Sequence, residues 1–222
     1  MTTQDDNKNY HKSVMDRLLD AAEVLFCEKG FQGTSIRDIA ASAGCNIASV
    51  NYYFGGKNNL YTEVWRRHLI PMRDVRIASI QRVVSQSQNG IQLEQLLRSF
   101  AETFVGIHVS SNSMSRLSRL MAREWIESHL PISIFVDEVI KPTMDIMSKA
   151  LIETCPNLDQ SKITKVIFSV VGQLVHLVHT TAIFSQRRNN LDLPVLDTQE
   201  MIDHIVKFSA AAIKAYNEGK IK

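Results

Sequence analysis

Apolar residues recur along this chain at intervals of three and four, and no convincing stretch alternates with a period of two, so the pattern predicts an all-α protein. The first stripe, Val14, Leu18, Ala21, Ala22, Leu25 and Phe26, predicts a helix over 12–29 that Gly30 stops. After a turn at 32–34, Ser35 and Asp38 stand at capping-box spacing, with Asp in place of the longer Glu, and open a short helix that Gly44 ends. Asn46 then caps a second short helix, Ile47 to Phe54. A long helical pattern begins at Lys57. Pro71, which has no N–H to donate, is expected to bend or split it, and the boundary between a unit at 1–68 and a unit at 69–222 is placed there. Further helices are expected over 92–108, 113–128, 132–154 with Pro142 inside, 161–185 and 199–218.

Two short helices joined by a tight, glycine-containing turn have the geometry of a helix-turn-helix, whose second helix enters the DNA major groove. Ile39, Ala40, Val50 and Phe54 are spaced to face the first helix, which leaves Ile47, Ala48, Ser49, Asn51, Tyr52 and Tyr53 wholly or partly outward. Small side chains at the helix start allow close approach to bases, Asn51 can bond both polar edges of an adenine, and tyrosine hydroxyls can reach phosphates. The same pattern also suits a plain three-helix bundle whose tyrosines are ordinary half-buried aromatics.

Charge adds little. The net charge is +2, and residues 1–68 hold as many Asp and Glu as Lys and Arg, but from Thr34 to Leu60 the only acid is Asp38. With 222 residues of which 45% are apolar, the chain can bury a proper core, and it contains no uninterrupted apolar run long enough for a membrane span. Its start is polar, and its three cysteines show no metal-type pairing, so a cytoplasmic location without a membrane partner is expected. Cys45 suits a small buried hydrophobe better than a redox switch. His176 and His179 share a helix face and could join His108 around a metal, but no acid or cysteine stands beside them at ligand spacing, so neither metal nor cofactor is expected. No phosphate loop, nucleophile elbow or zinc-protease signature is present, which argues against an enzyme.

The run Gly30-Phe31-x-x-Thr34-Ser35-Ile36-Arg37-Asp38-Ile39-Ala40-x-x-Ala43-Gly44, followed by Val50-Asn51-Tyr52-Tyr53-Phe54-Gly55-Gly56-Lys57-x-x-Leu60, resembles the DNA-binding domain of the TetR/AcrR family of regulators over about 12–66. The resemblance implies contacts to phosphate or groove edge from Thr34, Ser35 and Arg37, groove reading by Ser49, Asn51 and Tyr53, a backbone contact from Tyr52 and a phosphate clamp at Lys57. Ile47 stands where the family often has a polar or basic residue, and Asn51 where it often has tyrosine, so the operator sequence does not follow. Leu117 to Leu130 with Arg123-Glu124-Trp125, then Pro131, Ile140-Lys141-Pro142 and Gly172-Gln173, resemble the CecR-like branch more loosely.

The resemblance implies that the rest of the chain binds an inducer and forms a homodimer, the inducer being apolar or amphiphilic. Met121, Trp125, Met144, Phe168, His176 and His179 are the candidate pocket residues, since methionine and aromatic side chains line adaptable apolar pockets and histidine adds a polar handle. Each would serve equally as core. The 161–185 helix is apolar nearly all round, and with the last helix it could form a four-helix interface with a second copy, or a core within one chain. A repressor released from double-stranded operator DNA by its inducer is the expected function. The rival is an architectural DNA-binding protein with no small-molecule ligand.

Overall fold

The computed structural model describes residues 13–87, 90–109, 112–187 and 197–221, and every element among them is helical. The order is α1 (Val14–Lys29), α2 (Ile36–Ser42), α3 (Ile47–Phe54), α4 (Lys57–Gln86), α5 (Leu93–Val109), α6 (Asn112–Glu127), α7 (Ile132–Phe135), a π-helical turn (Val136–Ile140), α8 (Lys141–Thr154), α9 (Gln160–Arg187) and α10 (Thr198–Asn217). The all-α expectation holds. Two compact units result, one made of residues 13–68 with Ser115–Pro131, the other of residues 69–114 with the described residues from Ile132 onward.

The first unit has its core where the apolar stripes of α1 to α4 converge, and Leu18, Phe26, Ile39, Val50, Leu60 and Val64 are fully buried there. Ser13 accepts a bond from Asp16 N at 3.1 Å to start α1, and Gly30 ends it at φ 75°. Glycine suits that dihedral, and any side chain there would also displace the ends of two others. A Cβ built there would lie 2.8 Å from Nη1 of Arg123 and 2.9 Å from Oε1 of Glu127, both on α6. Arg123 also donates from Nε to Cys27 O at 3.2 Å and from Nη2 to Glu28 O at 2.7 Å, so α6 satisfies carbonyls that the last turn of α1 leaves open.

Two prolines within the helical stretches behave differently. Pro71 lies inside α4, which runs unbroken from Lys57 to Gln86 rather than splitting. The helical acceptor that Pro71 cannot serve is the Arg67 carbonyl, and both residues are exposed, so water can replace the missing donor. Pro142 falls in the first turn of α8, after a π turn closed by Lys141 N–H to Val136 O, and the single helix expected over 132–154 is three pieces. Its helical acceptor would be the Glu138 carbonyl, which takes a bond from Arg73 Nη1 at 3.0 Å instead.

The second unit packs the later part of α4, α5, α8, α9 and α10 around Ile80, Leu96, Phe100, Leu151, Ile163, Leu174 and Ile205. The stretch Gln160–Thr181 of α9 is long and apolar enough to span a bilayer by length and composition. Yet Ile163, Val166, Ile167, Val170, Leu174 and Leu177 along it pack into this core.

Candidate nucleic-acid interface

The recognition motif is built by caps. Ser35 Oγ accepts from Asp38 N at 3.1 Å while Asp38 Oδ2 accepts from Ser35 N at 3.2 Å and from Ser35 Oγ at 2.7 Å, a complete capping box that starts α2. Those bonds from Ser35 hold the Asp38 carboxyl below its ordinary pKa, so the only acid of the 34–60 stretch is a fixed anion at the positive end of α2. The turn closes with Gly44 at φ 61° and Cys45 N–H donating to Ala40 O at 2.9 Å, and α3 begins where Asn46 Oδ1 accepts from Ala48 N at 2.9 Å. Gly55, at φ 71°, stops α3.

Along α3, Val50 and Phe54 are buried, and the other side chains turn outward. Ala48 and Asn51 are exposed, Ser49 is half-buried, and Ile47, Tyr52 and Tyr53 are 43%, 83% and 45% exposed. Tyr52 and Tyr53 meet edge to face with centroids 5.0 Å apart. Three large apolar or aromatic side chains are thus left in solvent around an eight-residue helix that carries no acid.

Arg37 is exposed on α2. Lys57 is the first residue of α4, with its ammonium 4.2 Å from the centroid of the Phe31 ring, and burial pulls its pKa below the ordinary lysine value. It stays half in water, beside the N–H groups at the start of α4.

One expected contact needs correction. Thr34 is only 1% exposed, and its hydroxyl donates to Gly30 O at 2.8 Å and Leu25 O at 3.1 Å, so its side chain ties the 31–34 turn to α1 and faces no ligand. Ser35 is exposed, but its hydroxyl is engaged in the capping box.

None of the expected pocket residues whose side chains are described lines the void in the second unit. Met121 is half-buried on α6, within the first unit, and the side chain of Trp125 lies outside the described set, as does that of His108. Met144 packs half-buried against the core of the second unit, Phe168 is 59% exposed, His176 is exposed and His179 half-buried. The second unit does hold a narrow apolar void with room for about one water molecule, lined by Leu97 and Phe100 of α5, Met147 and Leu151 of α8, and Val166, Ile167 and Val170 of α9. Ordinary core side chains line that space. Among the described residues no three His, Cys, Asp or Glu side chains gather as a metal site.

Sequence reasoning also passed over Phe31 and His129, which meet with ring centroids 4.4 Å apart. Phe31 was visible inside the motif, whereas nothing local marks His129.

Comparison with known proteins adds two family matches. The family model of bacterial regulatory proteins of the tetR family matches residues 18–64, and that of the C-terminal domain of the HTH-type transcriptional dual regulator CecR matches residues 93–213. YttP, an HTH-type transcriptional regulator of Bacillus subtilis, is 50% identical over 48 residues, 22% of this chain and 23% of YttP. IcaR of Staphylococcus aureus, the HTH-type negative transcriptional regulator of the biofilm operon icaADBC, is 42% identical over 48 residues, 22% of this chain and 26% of IcaR. These matches span about a quarter of the length of those relatives. A solved tetR-family transcription regulator from Shewanella sp. PV-4 superposes with a TM-score of 0.63 at 16% identity, covering 91% of this chain and 96% of the other, a likeness of fold.

Proposed function

Because this chain belongs to the TetR family of bacterial regulatory proteins and carries a CecR-type C-terminal domain, it is a DNA-binding transcriptional regulator and not an enzyme, and we propose that it is a homodimeric repressor released from its operator by a small molecule. The observation that carries the reading is the outward face of α3, where Ala48, Asn51, Tyr52 and Tyr53 are all exposed on a helix without an acid. In this reading α3 lies in the major groove, Asn51 reads an adenine, and Ser49 and Tyr53 read the groove beside Ile47 and Ala48. Arg37, Tyr52 and Lys57 grip the phosphates. Duplexes selected from a random-sequence pool on the wild-type protein supply the test. Asn51→Ala should cost about 1–3 kcal/mol on a selected duplex and little on a random one. Equal losses on both would refute base readout.

Support for the dimer comes from α9 and α10. Each buries one side in the core of the second unit, and Phe168 and Phe208 are left 59% and 61% exposed. Gly172, exposed four residues along α9 from Phe168 with nothing within 4 Å of a built Cβ, would let a second copy approach closely. A dimer places two copies of α3 on half-sites about 34 Å apart, so the selected duplexes should be palindromic. The inducer is an apolar or amphiphilic compound held by the second unit, whose void between α5, α8 and α9 would have to widen around it. Such a compound can act only by binding one arrangement of the dimer better than the other. A cytoplasmic location follows from this role.

A further inference from the structure

The turn that follows α6 reaches the residue expected to grip DNA, through a chain of contacts that lies wholly within the first unit. Ser128 sits at φ 50°, a backbone conformation rare for residues other than glycine. Glu124 holds it there: its Oε1 accepts from Leu130 N at 2.6 Å, its carbonyl accepts from Ser128 N at 2.9 Å, and its Oε2 accepts from the Tyr61 hydroxyl at 2.7 Å. The turn therefore presents His129 at one position, with Glu127 Oε2 at 3.6 Å from its Nε2 and the Phe31 ring 4.4 Å away between centroids. Tyr61 meets the same Phe31 ring edge to face at 5.0 Å. Phe31 in turn carries the Lys57 ammonium at 4.2 Å.

We propose that Phe31 and His129 are positioning residues for DNA binding: Phe31 seats the Lys57 ammonium for a phosphate, and the Glu124-held turn keeps Phe31 in place through His129. A lysine on a flexible four-carbon stem presents its charge from many rotamers, and a phosphate contact gains when one is already selected. An aromatic face does so without neutralising the ammonium, as a carboxylate would. The inference rests on the DNA-binding reading, and it makes the far end of α6 part of the DNA grip although His129 lies 72 positions along the chain from Lys57.

A double-mutant cycle on a selected duplex tests it, with affinity followed as a function of salt. Lys57→Gln should lower the slope of log K against log salt by about 0.9 per protomer, the signature of one lost phosphate contact. Phe31→Leu and His129→Ala should each weaken binding about two- to fivefold in the wild-type background, yet have almost no effect once Lys57→Gln is present. Phe31→Tyr, which keeps the aromatic face, should restore wild-type binding. Should Phe31→Leu fail to fold, the His129→Ala cycle decides alone, since that residue sits on a turn. Losses that simply add would overturn the proposal, because a purely structural role weakens binding whether or not Lys57 is present. If the wild-type protein selects no duplex at all, the DNA-binding reading itself fails.

Discussion

Thr34→Val is the substitution that most directly separates the sequence expectation from the structure. Valine keeps the shape of threonine and removes one donor. In a side chain 1% exposed, that donor serves Gly30 O at 2.8 Å and Leu25 O at 3.1 Å. A buried acceptor left without its donor costs about 1–3 kcal/mol, and because the Leu25 carbonyl can keep its place in the α1 ladder, a loss of about 1–2 kcal/mol is expected. With a urea dependence of about 2 kcal/mol per molar, the unfolding midpoint should fall by about 0.5–1 M. Tryptophan fluorescence reports on this unit specifically, since both tryptophans of the chain, Trp65 and Trp125, belong to it and Trp65 is 1% exposed. Without urea, affinity for a selected duplex should stay within about twofold of wild type, because the hydroxyl faces α1. An unchanged midpoint with a tenfold or greater loss of affinity would refute the reasoning and return Thr34 to the DNA contact surface.

Gly30→Ala should destabilise the same unit by more than the about 1 kcal/mol typical of an ordinary glycine replacement, since φ 75° with ψ 176° is a conformation that residues with a Cβ rarely adopt; urea unfolding measures it. Glu23, 7% exposed, has its pKa lowered from 4.5, chiefly by His68, whose Nε2 lies 3.4 Å from its Oε1, and further by the charges of Arg116 and Arg67. A depressed pKa gives stability that is present above the ordinary carboxylate range and lost as pH falls through the folded value. Melting temperature should thus drop more steeply between about pH 5 and 3 in wild type than in Glu23→Gln, and parallel curves would exclude the effect. Burial pushes the Cys27 thiol up to about 11 and raises that of Cys155, and the two are 4% and 3% exposed, whereas Cys45 is half-buried in the α2–α3 turn. A disulfide reagent should therefore label Cys45 first and the other two only on unfolding.

What was legible in the sequence was local. The capping box at Ser35 and Asp38, the Asn46 cap and the glycines at 30 and 44 act within a few residues of themselves, and each does what its spacing implied. The inward set of Ile39, Ala40, Val50 and Phe54 followed from the same short range. Thr34 was misread because its type suits a phosphate as well as a carbonyl, and only the fold shows which one it meets. Pro71 was expected to bend or split its helix and Pro142 to sit inside a single one, although the outcome turns on what replaces the missing donor, solvent at Arg67 or Arg73 at the Glu138 carbonyl. Arg123 bonding to Cys27 spans 96 positions, and no periodicity encodes that. The narrow void in the second unit is walled by leucine, valine and isoleucine with one phenylalanine and one methionine, a lining that reads in the sequence as any other stretch of core.

The return of residues 115–131 to the first unit bears on how such regulators can be recombined. Hybrid sensors are conceived as a reading head joined to an interchangeable receptor, with the seam at the end of the head. Cutting here after His68 would leave the niche at Gly30 vacant, the carbonyls of Cys27 and Glu28 without Arg123, and the Tyr61 hydroxyl without Glu124. The reading head is folded from two separate lengths of chain. A graft that carries both should behave as a module, and one that carries the first alone should behave as a fragment.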